Sequence, residues 1–280
     1  MRKQQMLKQI LVVLGTVLAL ATTAAAPVAA QDALAKIKQR GTLIVGIKND
    51  YKPWGFIDPS GQTVGMEIDL AKDVADRLGV KLDLVPVTGA NRMEFLQQGR
   101  IDLIIATMGD TPQRRNVVGM IEPNYYAGGT NVLAKKSAKL TDWKQLKGQK
   151  VCAAEGAYYN RRVAQLYGPE LVVFPAVPEA FNALQGGSCV AFLFDSTLFE
   201  STLAAGDAKW ADYEMPLKTE DEQAWAIAVP LAELKGPWGD YMRAVSVDWH
   251  KSGKLLALEQ KWGIKPSPFL VEMNEKYKKS

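Results

Sequence analysis

Two hydrophobic periods alternate along the chain. Between residues 66 and 78 the apolar positions Ile68, Leu70, Ala71, Val74, Ala75 and Leu78 recur at helical spacing, and Gly79 follows as a C-cap. Residues 42–47 before this helix read as a strand, and 81–87 after it alternate as another. The spacing then predicts a short helix over 91–98, stopped by Gly99, and a β-branched strand over 101–106. A second series begins beyond an extended segment near 125–130. It consists of a short helix starting at Thr141-Asp142-Trp143, strands at 151–154, 171–174 and 189–194, and helices at 158–167 and 178–185. Residues 224–229 read as extended, helices follow near 238–251 and 255–262, and the Pro- and Lys-rich last dozen residues read as a surface tail.

Strands and helices in alternation predict an α/β fold with a largely parallel sheet. The extended segments between the two series are candidates for strands that cross between lobes. On that reading residues 31–126 and 225–280 form one lobe and 130–220 an inserted second lobe, with hinges near 127–129 and 221–224. A cleft between two lobes joined in this way is a ligand trap with a hinge.

The 101–115 stretch suggests what the trap would hold. An apolar strand stops at the small-residue turn Thr107-Met108-Gly109, Pro112 suits the first turn of a helix, and Arg114 follows. Open α/β sheets bind ligands at the carboxyl ends of their strands, where free backbone donors collect. Arg114 is therefore placed to hold a carboxylate.

The ends and the composition narrow the setting. Arg2, Lys3 and Lys8 precede an apolar run from 10 to 20, and Val28-Ala29-Ala30 supplies the small residues of a cleavage site. This is the pattern of a secretory signal peptide over 1–30, cut after Ala30 to leave 250 residues. No cysteine stands at the cut, so no lipid anchor is expected there. Three basic and no acidic residues lie within 1–30, so the formal charge of +4 falls to +1 beyond them. That near-neutral balance argues against a nucleic-acid partner. Cys152 and Cys189 are the only cysteines, and in an exported chain an even pair reads as a disulfide. Each stands at the start of a predicted strand, so neighbouring parallel strands would bring them together. One histidine, His250, and two paired cysteines give no metal site, and no cofactor is expected. His250 itself reads as structural or surface.

Several motifs stand in a fixed order: Gly41-Thr42-Leu43-Ile44-Val45-Gly46, Tyr51-Lys52-Pro53-Trp54-Gly55-Phe56, Gly65-Met66-Glu67-Ile68-Asp69-Leu70-Ala71, Gly99-Arg100-Ile101-Asp102-Leu103 and Thr111-Pro112-Gln113-Arg114-Arg115. The ordered set resembles the family 3 extracellular solute-binding proteins, the polar amino-acid receptors of ABC importers. The resemblance implies the two-lobed periplasmic-binding-protein type II fold with two crossover hinge strands. It also implies a periplasmic, Gram-negative location, a free amino acid as ligand, an ABC permease as partner, and a monomer. Arg114 matches the arginine that grips the ligand α-carboxylate, and Asp195 the acidic residue that receives the α-ammonium. Tyr51 matches an aromatic lying against the ligand side chain. Thr107 and Gly109 would supply hydroxyl and backbone donors, and Ala157 or Tyr158 backbone donors from the second lobe. Without the resemblance, Arg114 would read as a solvated helix residue and Asp195 as an N-cap.

Lys48, and Arg92 in Thr88-Gly89-Ala90-Asn91-Arg92, fall where glutamate/aspartate receptors carry basic residues. Cations around one cleft favour an anionic side chain, so glutamate or aspartate is expected, with glutamine next. Two departures bear on that choice, the first being that Thr107-Met108-Gly109 lacks the second hydroxyl often found in relatives. Glu155-Gly156-Ala157-Tyr158-Tyr159 replaces a small hydroxyl-rich turn, so Glu155 would neutralise Arg92 or Lys48 and Tyr158 would narrow the pocket. The competing reading is a dehydratase of cyclohexadienyl type on the same fold, for which Glu155 and Glu67 are the candidate acids. A receptor feeding a signalling partner would have the same ligand site.

Overall fold

Thr42–Ile47 is an inner strand of the first sheet, with Leu43, Val45 and Ile47 fully buried on one face and Ile44 half-buried on the other. The computed structural model describes residues 32–279; the signal peptide expected over 1–30 and its cut after Ala30 lie outside the described residues. The sheet runs in the order Lys81–Pro86, Thr42–Ile47, Leu103–Ile105, Ala228–Val229, Gly119–Met120. Its first three strands are parallel, and Ala228–Val229 inserts antiparallel between Leu103–Ile105 and Gly119–Met120. Met66–Leu78 turns Leu70, Ala71, Val74 and Ala75 into the core, and Gly79 closes it in the left-handed region at φ 67°. Trp238, from the helix Pro237–Ser252, donates through Nε1 to Asp102 O at 3.0 Å, tying the end of the chain to this lobe.

The second sheet runs Glu170–Phe174, Lys150–Ala154, Ala191–Asp195, Tyr126–Lys135, Tyr213–Glu214. Lys150–Ala154 and Ala191–Asp195 are adjacent and parallel, with Cys152 opposite Phe192. Cys152 and Cys189 are disulfide-bonded, their Cα atoms 5.5 Å apart. Cys189 stands two residues ahead of its strand rather than inside it.

Two strands join the sheets. Tyr126–Lys135 and Glu220–Trp225 pair antiparallel, matching Tyr126 with Trp225 and Gly128 with Gln223 before the register shifts toward Glu220. Trp225 is fully buried and packs on Tyr126, Trp54 and Tyr51, with ring centroids 5.2, 5.6 and 6.1 Å away. These aromatics join the base of the cleft to the first lobe's core.

The C-terminal end is not a surface tail. Pro268–Lys278 is a helix that buries Leu270 and Asn274, and Asn274 Nδ2 donates to His250 O. The residues that suggested a tail are its punctuation: Pro268 sits in the first turn, and Lys276 and Lys278 sit in the last, where cations suit the helix dipole. His250 is accordingly buried and structural, its Nε2 2.7 Å from Asn124 O. Two elements carried too little period to be read from sequence. They are the helix Ser196–Ala204 and a small antiparallel sheet of Asp50–Tyr51, Gly55–Ile57 and Thr63–Val64.

Candidate ligand-binding site

Arg114 is positioned by its own short helix. Thr111 caps Pro112–Arg115 by accepting the Arg114 N–H, and the guanidinium is thereby aimed into the cleft. Arg114 donates to Gly109 O at 2.8 Å within the first lobe and to Gly156 O at 2.9 Å across the cleft. Burial lowers its pKa, and Asp195 opposes that shift without pairing directly. Arg114 borders the cavity, and each terminal nitrogen keeps a second N–H beyond its carbonyl bond.

Asp195 ends the strand Ala191–Asp195 and stands where an N-cap would, yet its side chain makes no capping bond to the helix Ser196–Ala204. Its carboxylate instead accepts from Tyr51 Oη at 3.1 Å, and Tyr51 also lies 2.8 Å from Thr197 Oγ1. Burial pushes Asp195 up to about 6, held back by the hydroxyls of Tyr51 and Tyr159 and the charges of Arg92 and Arg114. Tyr51 is fully buried against Trp54 and Phe194.

Arg92 is also buried. It donates through Nη1 to Ala106 O and Thr107 O, while its Nε has no partner. Burial, with the neighbouring charge of Arg114, lowers its pKa to about 9. Lys48 reaches the same cavity, but Asp50 lies 2.8 Å from its Nζ. Asp50, not Glu155, therefore neutralises Lys48; Glu155 is exposed at the rim.

Arg92, Lys48, Thr107, Arg114, Tyr158 and Asp195 all border one cavity of about 30 Å³ between the sheets, as does Ala157. That volume suits a water or two, so the lobes are closed on one another. Gly156 shows how tightly: it adopts φ 76°, and a Cβ there would fall 2.2 Å from Gly89 C. Gly109 is not part of the cavity wall. Its carbonyl is taken by Arg114, and a Cβ would fall 3.0 Å from the Tyr158 ring. Tyr158 in turn donates to Asp221 O at 2.9 Å, fixing the second-lobe turn against a crossing strand.

Glu67 plays a part that the sequence does not reveal. It lies fully buried beneath Thr107, accepting the Thr107 N–H at 2.7 Å and the Tyr125 hydroxyl. Thr107 is held at φ 44°, a left-handed conformation uncommon outside glycine, and this bond helps fix it there. Burial raises Glu67 to about 7 despite those two donors. Thr197 and Tyr159 also escape sequence reading, because Thr197 meets Tyr51 across the cleft and Tyr159 meets Asp195 and Phe194 from a distant part of the chain.

A model of the bacterial extracellular solute-binding proteins, family 3, matches residues 43–265. The chain belongs to that family. A glutamine-binding protein of Geobacillus stearothermophilus is 36% identical over 177 residues, covering 61% of this chain and 67% of that one. An L-cystine-binding protein of Escherichia coli is 28% identical over 242 residues, covering 82% and 85% of the two chains. Among solved structures, a mutant ArgBP from T. maritima matches with a TM-score of 0.76 at 29% identity, covering 84% of this chain and all 100% of that one. The two-lobed α/β architecture is thus shared with these family members.

Proposed function

We propose that this protein is the periplasmic substrate-binding subunit of an ABC importer, closing on a free polar L-amino acid and presenting it to a membrane permease. One juxtaposition carries the reading: Arg114 from the first lobe and Asp195 from the second border the same cavity. A guanidinium and a carboxylate on opposite lobes suit the two ends of a zwitterion, which would then bind the lobes together. Bidentate, charge-assisted bonds of this kind contribute roughly 1.5–3 kcal/mol each.

The side chain we assign to the ligand is that of glutamate or aspartate, with glutamine next. Arg92 supports this choice, since its buried Nε has no partner and an acceptor at the ligand's far end would satisfy it. A second cation there would be repelled. Lys48 adds less than its charge suggests, because Asp50 already balances it. That balance, with the 36% identity to a glutamine-binding protein, brings the amide close behind. Two placements favour a receptor over a dehydratase: Glu67 does not line the cavity and its Oε1 is taken by Thr107 and Tyr125, and Glu155 sits exposed at the cavity rim.

The paired strands Tyr126–Lys135 and Glu220–Trp225 are the proposed hinge, with bending near 127–129 and 221–224. A 30 Å³ cavity cannot admit an amino acid unless the lobes part, so binding is read as a shift between open and closed forms. Calorimetric titration of unfolded-and-refolded protein with the common amino acids tests the assignment. Saturable binding of unaltered glutamate, aspartate or glutamine is expected. Binding of none of the amino acids, or turnover of a cyclohexadienyl substrate, would overturn it.

A further inference from the structure

Behind the cavity, a single residue connects two charged groups of opposite sign. Thr107 donates its N–H to Glu67 at 2.7 Å, and its carbonyl lies 3.4 Å from Arg92 Nη1. Glu67 Oε2 and Arg92 Nε are both buried, and both lack a hydrogen-bond partner. The two side chains make no direct ion pair, yet each lies in the other's field. Buried charges so arranged are poorly screened by solvent and act on whatever occupies the cavity beside them.

We propose that Glu67 is a specificity-determining residue whose protonation sets how strongly the pocket prefers an anionic side chain over an amide. The inference rests on the glutamate-or-glutamine reading above and deepens it. When Glu67 is ionised it offsets Arg92, and the far end of the pocket is nearly balanced, as glutamine requires. When Glu67 is protonated Arg92 stands uncompensated, and glutamate gains. The charged and titratable groups facing Glu67 are Arg92, Lys48, Tyr125 and Tyr51. The other acids of its helix turn outward, Asp69 to Lys261, Asp73 to Lys254 and Asp76 to Lys72.

The position of Glu67 near 7 places this change within the range a periplasmic protein meets. Asp195 titrates at about 6 and faces the α-ammonium that both ligands share, so its effect cancels in the ratio of their affinities. Arg92, at about 9, stays largely charged up to about pH 8, above the Glu67 transition. The ratio of affinities for the two ligands therefore isolates Glu67.

The test is calorimetric titration of the refolded protein with L-glutamate and L-glutamine at a series of pH values from about 5.5 to about 8. The preference for glutamate over glutamine should fall about tenfold as pH rises through the Glu67 transition. E67Q keeps an acceptor for the Thr107 N–H but cannot ionise, so its preference should stay flat and glutamate-leaning. Y125F removes a donor that holds the Glu67 pKa down, so its transition should move to higher pH; this variant decides the matter if E67Q does not fold. A flat ratio in the wild type, a slope that survives in E67Q, or an unmoved transition in Y125F would overturn the inference while leaving the receptor reading intact. Binding of neither ligand would remove the glutamate-or-glutamine reading and this inference with it, while binding of another amino acid would leave the receptor reading standing.

Discussion

Tyr51 and Asp195 meet across the cleft, the phenol of the first lobe donating to the carboxylate of the second at 3.1 Å. The contact ties the ligand's expected ammonium site to lobe closure, because the phenol that helps keep Asp195 ionised comes from the opposite lobe. An ammonium group arriving at Asp195 would meet a carboxylate already oriented by that hydroxyl.

Affinity for every amino acid should decline as pH falls below about 6, because the ammonium site needs Asp195 ionised. Y51F removes a donor that lowers the Asp195 pKa, so its decline should begin at higher pH. Binding isotherms across the range check both statements, and a pH-independent affinity would dissociate Asp195 from the ammonium.

R114A should reduce affinity for all amino acids at least a hundredfold, on the order of 3 kcal/mol for two charge-assisted bonds. R92A should instead reorder the ligands, weakening glutamate and aspartate most. Titration of both variants with one amino-acid panel separates the roles; a reordered panel in R114A, or an unchanged one in R92A, would reverse them.

The ligand-free protein should be more stable in mild acid than in mild base. Glu67 rises on folding from its ordinary value of 4.5 to about 7, and Asp195 from 3.8 to about 6. A carboxyl raised on folding contributes fully below its ordinary pKa, and that contribution is lost as pH rises through the folded value. Glu67 alone should account for about 2–3 kcal/mol of the difference between pH 5 and pH 8. Denaturant titrations of wild type and E67Q measure it, and the variant should show the smaller difference.

Replacing Cys152 and Cys189 with serine should cost about 4 kcal/mol on the chain-entropy account of a loop spanning 37 positions. Because the bond ties strands at the base of the second sheet, away from the cavity, ligand preference should stay unchanged while the unfolding midpoint falls.

G156A should impair closure rather than folding. The added methyl would enter the Gly89 backbone only when the lobes are shut, and the φ of 76° disfavours a side chain there. A lower affinity with a near-normal melting temperature in ligand-free protein is expected.

Much of this protein is determined locally, and those parts are legible in its sequence. The helix Met66–Leu78 follows from its apolar period and Gly79, and the Leu103–Ile105 strand with the Thr111-Pro112 turn places Arg114 at a sheet edge. Hydrophobic period and capping are properties of neighbours along the chain, so no tertiary contact is needed to see them. The terminal helix Pro268–Lys278 was obscured because its lysines and prolines suit a tail as well as a helix end, and only its packing on Pro237–Ser252 decides between them. The charge balance of the pocket was decided by tertiary structure alone. Sequence cannot say that Asp50 takes Lys48, that Asp195 leaves its helix uncapped to meet Tyr51, or that Glu67 lies beneath Thr107. Electrostatic partners are chosen by distance and desolvation after the lobes close, and neither is a property of a residue's place in the chain.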